Sequence, residues 1–264
     1  MRILFIADIV GKIGRKAIKQ VLPELKAELK LDLVIANAEN IAHGAGITGK
    51  TLKEIQEAGV DFFTSGNHTF DKPEVVELLN DANPILIRPA NMEDNLAGQG
   101  YKIFEVGSRK IMVINLIGQV FVAGEYANPF KKLDEILDAT QDQNLSAIFL
   151  DFHAEVTSEK RAMAHHADGR ISAMVGTHTH APTADAHIMP GGMAYVTDVG
   201  MVGARDSVLG RTKDSILLDF INETKTSKEL PEEGLVDVHA VVVDIDPSTK
   251  KATSIERVDR TVEV

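Results

Sequence analysis

Acidic, amide and imidazole side chains follow several apolar runs of this sequence. They are Asp8, Glu39, Asn40, Asn67, His68, His153, His178 and His180. Carboxylate oxygens and neutral imidazole nitrogens are common ligands of transition metals, and imidazole also transfers protons near neutral pH. Each residue alone has an ordinary explanation, such as a turn, a helix cap or a buried hydrogen bond. The whole set is large enough to hold two metal ions, which can clamp the attacking and leaving oxygens of a phosphoryl transfer.

The stretch GNHTFD (66–71) holds two of these candidates side by side. Asn67 and His68 could bind a metal, carry a proton or cap a turn. Gly66 would let the backbone turn tightly before them. Asp71 precedes Lys72 and a proline, so we expect it to cap the next helix rather than take part in the chemistry.

Two imidazoles stand two residues apart in the stretch GTHTH (176–180). Between Gly176 and Pro182 the chain can turn so that His178 and His180 point at one place. Neutral imidazole is a frequent metal ligand, so this pair is a stronger signal than an isolated histidine.

Composition excludes several other chemistries. The 264 residues contain no cysteine, which rules out disulfides, thiol catalysis and thiolate metal sites. The formal net charge of −11 disfavours a duplex nucleic-acid partner, because such surfaces are usually basic. A small phosphorylated ligand remains compatible, since a bound metal ion can supply positive charge locally.

No apolar segment approaches the roughly 18 residues of a membrane helix, so we expect no membrane partner. The apolar run at the start is interrupted by Asp8, which favours a first strand over a signal peptide. We therefore expect a cytoplasmic protein. The length fits one large domain spanning residues 1–264.

Short apolar runs rich in β-branched residues predict the strands that position the candidates. The predicted strands are 3–8, 33–40, 61–68, 85–91, 111–118, 147–155, 172–180, 194–200, 215–221 and 238–246. Amphipathic or capped segments predict helices between them. The predicted helices are 15–30, 49–58 after Thr48, 73–80 from Pro73, 129–140, and 158–168 after Thr157.

Strands and helices alternate in the first third of the chain, which is typical of a parallel α/β arrangement. The last third is rich in strands and indicates antiparallel pairing, and the polar segment 222–234 predicts a long exposed loop. We expect an α/β fold with two sheets covered by helices. Ligands of α/β sheets bind beyond the carboxyl ends of the strands, so the candidate side chains should meet at one edge.

The order of the polar blocks resembles the calcineurin-like metallophosphoesterases. The blocks are Asp8, Glu39-Asn40, Gly66-Asn67-His68, His153 and Gly176-Thr177-His178-Thr179-His180. Two positions depart from the usual pattern: Val10 stands in place of a metal-binding histidine, and Glu39 in place of a bridging aspartate. Those departures, with the stretches ADIVGKIGR, NAENIAHGAGIT, SGNHTFD, RPAN, DFHAE, GTHTHAPTAD and TDVGMVGARDSVLG, are similar to the YmdB subfamily of bacterial phosphodiesterases.

This resemblance implies a four-layer αββα fold and a role for each block. Glu39 would bridge two metal ions, with Asp8, Asn40 and His180 completing one site. Asn67, His153 and His178 would complete the other. Asn40 would take the ligand place that Val10 cannot fill. A water held by both metals would attack phosphorus, and His68 would protonate the leaving oxygen.

The same resemblance implies the cofactor, substrate and assembly. The metals would be iron, with manganese able to replace it and magnesium or zinc less suitable. The substrates would be small cyclic nucleotides, 2′,3′-cyclic ones first and 3′,5′-cyclic ones second. It also implies a homo-oligomer.

Several alternatives stay open from the sequence. The same metals could serve a phosphomonoesterase or protein phosphatase, or the chain could be a metal-bound regulator that acts through partners. The net negative charge argues against a nuclease that acts on long nucleic acid. His43 could line the pocket or lie on an exposed loop, and Arg88 could contact phosphate or form a structural ion pair. Residues 198–210 could cover the site or form a subunit contact.

Overall fold

The computed structural model describes residues 1–225 and 229–264. In these ranges the helices are α1 (Gly11–Leu29), α2 (Gly49–Glu57), α3 (Val75–Leu79), α4 (Pro129–Ala139), α5 (Thr157–Ala167) and α6 (Lys213–Asn222). The strands are β1 (Arg2–Ile6), β2 (Asp8–Ile9), β3 (Leu33–Asn37), β4 (Phe62–Thr64), β5 (Tyr101–Val106), β6 (Arg109–Ile117), β7 (Ala147–His153), β8 (Ala173–Thr177), β9 (His187–Ile188), β10 (Ala194–Val196), β11 (Met201–Ala204), β12 (Ser207–Val208), β13 (Arg211–Thr212), β14 (Leu235–Val238), β15 (Ala240–Asp246), β16 (Lys251–Arg257) and β17 (Arg260–Glu263).

Two large sheets form the centre of the fold. The first has the order β16-β15-β1-β3-β4, with β1, β3 and β4 parallel and the two late strands antiparallel. The second has the order β5-β6-β7-β8-β10-β9, with β6, β7, β8 and β10 parallel. A smaller sheet, β17-β14-β11-β2, and the β12-β13 hairpin complete the pairing. The predicted change from parallel pairing early in the chain to antiparallel pairing late is confirmed.

The two large sheets pack face to face over an apolar core. Phe5 of β1 stacks on Phe149 of β7 with ring centroids 5.6 Å apart, and both side chains are buried. Apolar residues of α1, α2 and α3 cover the outer face of the first sheet. Those of α4 and α5 cover the outer face of the second. The predicted αββα arrangement is therefore confirmed.

Local capping explains where two of the predicted helices begin. Thr48 caps α2 by accepting from the backbone N–H of Thr51, as the sequence predicts. The side chain of Asn128 accepts from the backbone N–H groups of Phe130 and Lys131 at the start of α4. Both helices lie within a residue of their predicted ends.

Two predicted strands are wrong. Residues 215–221 lie in α6, because a short apolar run has no periodicity that separates a strand from a helix. Residues 85–91 form only one bridge, between Leu86 and Phe63, because the backbone N–H groups of Arg88 and Ala90 then donate to Gln99 and Asn115 instead.

Three helix boundaries also differ from the predicted ones. The first helix begins at Gly11 rather than 15, and the third covers only Val75–Leu79. The fifth begins at Thr157, the residue expected to cap it. The described parts of the predicted loop 222–234 contain no strand, and residues 226–228 lie outside the described residues. None of the helices in the described ranges combines the length and apolar character that a membrane span requires.

Candidate metal centre

The carboxyl ends of the parallel strands bring the predicted site residues to one edge of the two-sheet core. β1 leads to Asp8, β3 to Glu39 and Asn40, and β4 to Asn67 and His68. β7 ends at His153, and β8 runs directly into the loop that carries His178 and His180. Four of them, Asp8, Glu39, Asn40 and His153, are buried although they are polar, which costs free energy unless the groups are paired or bind an ion. The structure thus brings together all eight predicted residues.

Four ligand atoms converge around His153. Its Nε2 lies 3.2 Å from Glu39 Oε1, 3.1 Å from Asn67 Oδ1 and 3.0 Å from His178 Nδ1. One ligand atom each from Glu39, His153 and His178 lies within 4.8 Å of the others. Oxygen and nitrogen atoms that lie this close together make a candidate site for a metal ion.

A second group of polar side chains also contacts Glu39. Asn40 Nδ2 is 3.0 Å from Glu39 Oε1 and 3.2 Å from His180 Nε2, which is in turn 3.8 Å from Asp8 Oδ2. His180 Nδ1 lies 3.1 Å from the carbonyl of Leu209, an acceptor that leaves Nε2 facing the other side chains. Glu39 Oε1 therefore contacts both groups, and the family resemblance implies a bridging role for this carboxylate.

Asp8 carries an atom that the surrounding protein does not satisfy. Its Oδ2 accepts the backbone N–H of His178 at 3.0 Å, but its buried Oδ1 has no hydrogen-bond partner among the described residues. Burial raises the pKa of Asp8 well above its usual range, and the nearby Glu39 carboxylate adds to this. An ionised Asp8 would be stabilised by a cation at Oδ1.

Opposing charges shift the pKa values of the central pair. Burial acts to raise the pKa of Glu39, but contacts with His153 and His68 outweigh it and lower that pKa. Burial acts to lower the pKa of His153, but the carboxylates of Glu39, Asp8 and Asp151 outweigh it and raise the pKa to about 9. The pocket thus attracts positive charge, which either a proton or a metal ion can supply.

Burial favours the neutral form of the other two imidazoles. Burial lowers the pKa of His178 to about 3, and the neighbouring His153 acts in the same direction. Burial also lowers the pKa of His180. Neutral imidazole is the form that binds metal, so both residues are suited to that role.

The loop that carries these two histidines has an unusual backbone. His178 has φ 100° and His180 has φ 61°, a region that is costly for residues other than glycine. Between them, Thr179 donates its backbone N–H and its hydroxyl to Asp198 Oδ2, at 3.1 and 2.7 Å. Lys160 Nζ lies 2.6 Å from the same oxygen, and this ion pair is almost fully buried. The pair holds the loop in its strained form.

His68 lies beside the clusters and outside the predicted ligand set. Its backbone N–H donates to Glu39 Oε2 at 3.1 Å, and its imidazole is about one-third exposed. Its Nδ1 lies 2.7 Å from Asp71 Oδ2. The prediction that Asp71 caps the next helix is wrong, because that helix begins at Val75 with Glu74 at its N-cap. Asp71 follows His68 by three residues, within one turn of the chain, so the two side chains can meet.

Gly66 is required by space rather than by its backbone angles. A Cβ on Gly66 would lie 2.4 Å from Glu39 Oε2 and 2.4 Å from the ring of His153. The chain does turn here, with the backbone N–H of Thr69 donating to the carbonyl of Gly66 at 3.2 Å, but Gly66 is not among the residues with positive φ. The absence of a side chain lets the two ligands approach each other.

A cavity of about 260 Å³ opens onto these residues. Its lining includes two residues that the sequence did not indicate, Glu155 and Arg211. Glu155 Oε2 lies 3.0 Å from His178 Nε2, and its signal was its place in the block DFHAE. Arg211 lies just outside the last of the sequence blocks that carry the family resemblance, so no sequence signal pointed to it. Leu209 also lines the cavity, so the segment 198–210 covers the site in part.

The two residues left open by the sequence lie away from this chemistry. The guanidinium of Arg88 is buried and donates to the backbone carbonyls of Ala97 and Pro89, at 3.1 and 2.9 Å. Its role is therefore structural. His43 is exposed on its loop and does not line the cavity.

Comparisons with known proteins agree with the fold. The sequence profile described as "YmdB-like protein" matches residues 4–258. A Bacillus subtilis (strain 168) protein named 2′,3′-cyclic-nucleotide 2′-phosphodiesterase is 44% identical over 258 residues, covering 98% of this chain and 96% of the relative.

Two solved structures are similar over nearly their whole length. A structure described as a novel phosphatase of Mycoplasma pneumoniae has a TM-score of 0.92 and 38% identity, covering 100% of this chain and 94% of that one. A structure described as a hypothetical protein from Thermus thermophilus has a TM-score of 0.91 and 34% identity, covering 99% of each chain.

Proposed function

The chain belongs to the family of YmdB-like proteins, and from this premise we propose that it is a metal-dependent phosphodiesterase of small cyclic nucleotides. The observation that carries the proposal is the convergence of Glu39, Asn67, His153 and His178 around one point. The name of the Bacillus subtilis relative supports the reaction class.

The donor atoms fit two cations. Glu39, Asn67, His153 and His178 would hold one of them. Glu39 would also reach the second, together with Asp8, Asn40 and His180, and the unpartnered Oδ1 of Asp8 supports this site. An amide binds metal through oxygen, so Asn40 would use Oδ1 after a half-turn of its amide. Nitrogen and oxygen ligands without sulfur suit iron, and manganese as its replacement.

When bound, the two cations would lower the pKa of a shared water and polarise the phosphate. His68 would donate a proton from Nε2 to the leaving ribose oxygen, because its Nδ1 is held by Asp71. A positioned acid of this kind contributes roughly 10²–10⁴-fold to the rate. Glu155 and Arg211 lie at the cavity wall, where they contact what enters.

The size of the cavity favours a small substrate. Its 260 Å³ lies below the roughly 300–1,000 Å³ of pockets that enclose a drug-sized ligand. It would therefore accept the ribose phosphate and leave the base at the rim. We propose 2′,3′-cyclic nucleotides as the preferred substrates and 3′,5′-cyclic nucleotides as secondary ones.

The test combines elemental analysis with hydrolysis of a 2′,3′-cyclic nucleotide, for the wild type and Glu39→Ala. Glu105→Ala is the matched control, because Glu105 is exposed on β5. We expect about two metal ions per chain and hydrolysis in the wild type and the control, with both lost in Glu39→Ala. Two metals without hydrolysis of any cyclic diester would overturn the substrate assignment. No metal uptake, even with added iron or manganese, would overturn the site itself.

A further inference from the structure

A buried chain of hydrogen bonds runs beneath the candidate metal centre, away from its cavity. His153 Nδ1 lies 2.9 Å from the hydroxyl of Thr177, and this hydroxyl lies 2.7 Å from Asp151 Oδ1. The three side chains are fully buried, and neither Asp151 nor Thr177 lines the cavity. The hydroxyl of Thr177 therefore meets the site at the imidazole of His153, with Asp151 behind it.

The direction of the hydrogen bonds is fixed at the far end of this chain. Asn37 Oδ1 accepts the backbone N–H of Glu39, so Asn37 Nδ2 must be the group that donates to Asp151 Oδ2, at 3.0 Å. The hydroxyl of Thr64 is 2.5 Å from the same oxygen. Asp151 is thus surrounded by donors, and its remaining oxygen is an acceptor for Thr177.

A hydroxyl has only one hydrogen to donate, and this sets the direction of the hydrogen bond between Thr177 and His153. If Thr177 donates that hydrogen to Asp151, its oxygen can only accept from His153. The proton of a neutral His153 then lies on Nδ1, and Nε2 carries a bare lone pair. Nε2 is the atom that faces Glu39 and Asn67.

We propose that Asp151 and Thr177 are positioning residues that fix the tautomer of His153 and so present its Nε2 as a metal ligand. The inference rests on the proposed metal site. Histidines that bind metal commonly donate their other ring nitrogen to an acceptor, which sets the tautomer and orients the ring. Asp151 acts on His153 indirectly, through the hydroxyl of Thr177.

The other two candidate histidine ligands show why only His153 needs a relay, meaning a second residue, Asp151, behind its hydrogen-bond partner Thr177. His180 Nδ1 faces the carbonyl of Leu209, and His178 Nε2 faces the carboxylate of Glu155. A carbonyl and a carboxylate only accept, so they select a tautomer directly. The hydroxyl of Thr177 can donate or accept, so it selects one only because Asp151 takes its hydrogen.

Substitution of Asp151 by asparagine tests the direction of this chain. In Asp151→Asn the oxygen stays with the donors Asn37 and Thr64, and the new amide group faces Thr177. Thr177 must then accept from residue 151 and donate to His153 Nδ1, which moves the imidazole proton to Nε2. Thr177→Val removes the hydroxyl at nearly constant shape, and Thr177→Ser keeps it as the matched control.

The first readout is retention of Mn²⁺ against a chelator, measured on purified protein. We expect Asp151→Asn and Thr177→Val to bind Mn²⁺ about 10- to 100-fold more weakly than the wild type, and Thr177→Ser to bind like the wild type. Circular dichroism identifies any variant that fails to fold. Folded variants that all retain Mn²⁺ like a metal-loaded wild type would overturn the inference and leave the proposed function intact. A wild type that takes up no metal would instead overturn the proposed function.

The second readout needs no variant to fold. In Zn²⁺-loaded wild type with ¹⁵N-labelled histidine, nuclear magnetic resonance should show His153 protonated at Nδ1, with a proton protected from solvent exchange. Thr177→Ser should keep that signal. A metal-loaded wild type with His153 protonated at Nε2, or with an unprotected Nδ1 proton, would contradict the relay.

Discussion

His68 Nδ1 and Asp71 Oδ2 are 2.7 Å apart, although the sequence suggested a capping role for the aspartate. The contact orients the imidazole and leaves Nε2 as the nitrogen that can meet a substrate. Carboxylate and imidazole thus form a unit at the rim of the cavity, with the backbone of His68 fixed on Glu39.

Removal of the imidazole should slow turnover without loss of metal. We expect His68→Ala to lower kcat roughly 10²–10⁴-fold, because the leaving oxygen loses its proton donor. Asp71→Asn should lower kcat by a smaller factor, because the imidazole remains but is held less firmly. Steady-state kinetics and elemental analysis on the same preparations measure both. Unchanged kcat in His68→Ala would remove this residue from the mechanism.

A single methyl group at Gly66 should disrupt the centre. The Cβ of Gly66→Ala would lie 2.4 Å from both Glu39 and His153, closer than real contacts allow, so the ligands must move apart. We expect loss of bound metal and of hydrolysis. Gly49→Ala is the control, because its Cβ would only meet Leu78 at 3.7 Å. Normal metal content in Gly66→Ala would show that the ligands have more freedom than the structure indicates.

Removal of metal should destabilise the protein. A ligand present at 100 times its dissociation constant stabilises the folded state by about 2.7 kcal/mol, if it does not bind the unfolded chain. For a chain of this size we therefore expect a chelator to lower Tm by roughly 5–10 °C. Differential scanning calorimetry measures this, and Glu39→Ala should show no chelator effect. An equal shift in that variant would point to a metal bound elsewhere.

The buried pair beneath the two-histidine loop should matter for stability. Lys160→Met leaves Asp198 as a buried carboxylate without its cation, which costs about 3–5 kcal/mol. Lys132→Met is the control, because its partner Glu135 is largely exposed and such pairs contribute about 0–1 kcal/mol. Urea unfolding compares the two. Equal losses in both variants would show that burial does not strengthen the effect.

Asp185 should make a pH-dependent contribution to stability. Burial acts to raise its pKa, but hydrogen bonds from Thr197 and Thr183 outweigh it and lower the pKa. A carboxyl whose pKa is lower in the folded state stabilises the fold above its unfolded pKa of about 3.9, and this contribution is lost as pH falls through the folded pKa.

The free-energy difference between wild type and Asp185→Asn should therefore stay constant from about pH 5 to 8 and shrink below about pH 4. Urea unfolding across this range measures it. A free-energy difference that grew as the pH fell would mean that folding raises the pKa of Asp185 instead of lowering it.

The failed strand predictions show what local pattern cannot decide. Residues 215–221 carry apolar side chains in a run that fits a buried strand, yet they form α6, where Phe220 and Ile221 are exposed. Residues 85–91 have the composition of a strand but pair only through Leu86. In both segments the outcome depends on the neighbours that the folded chain provides.

The candidate ligands were predictable from sequence because they follow apolar strands whose carboxyl ends share one edge. Their order along the chain also carries the family resemblance, so residue type and spacing were enough to nominate Asp8, Glu39, Asn67, His153 and His178 as candidates that the fold brings together.

Tertiary structure alone decided how these ligands are supported. The contacts of Asp151 with Asn37 and Thr64, and of Lys160 with Asp198, join residues 38 to 114 positions apart. Such pairs depend on how strands and helices pack, whereas apolar periodicity shows only which face of each element is buried. The sequence by itself therefore determined which side chains are candidate metal ligands, and the packing of the two sheets decided which residues hold those side chains in place.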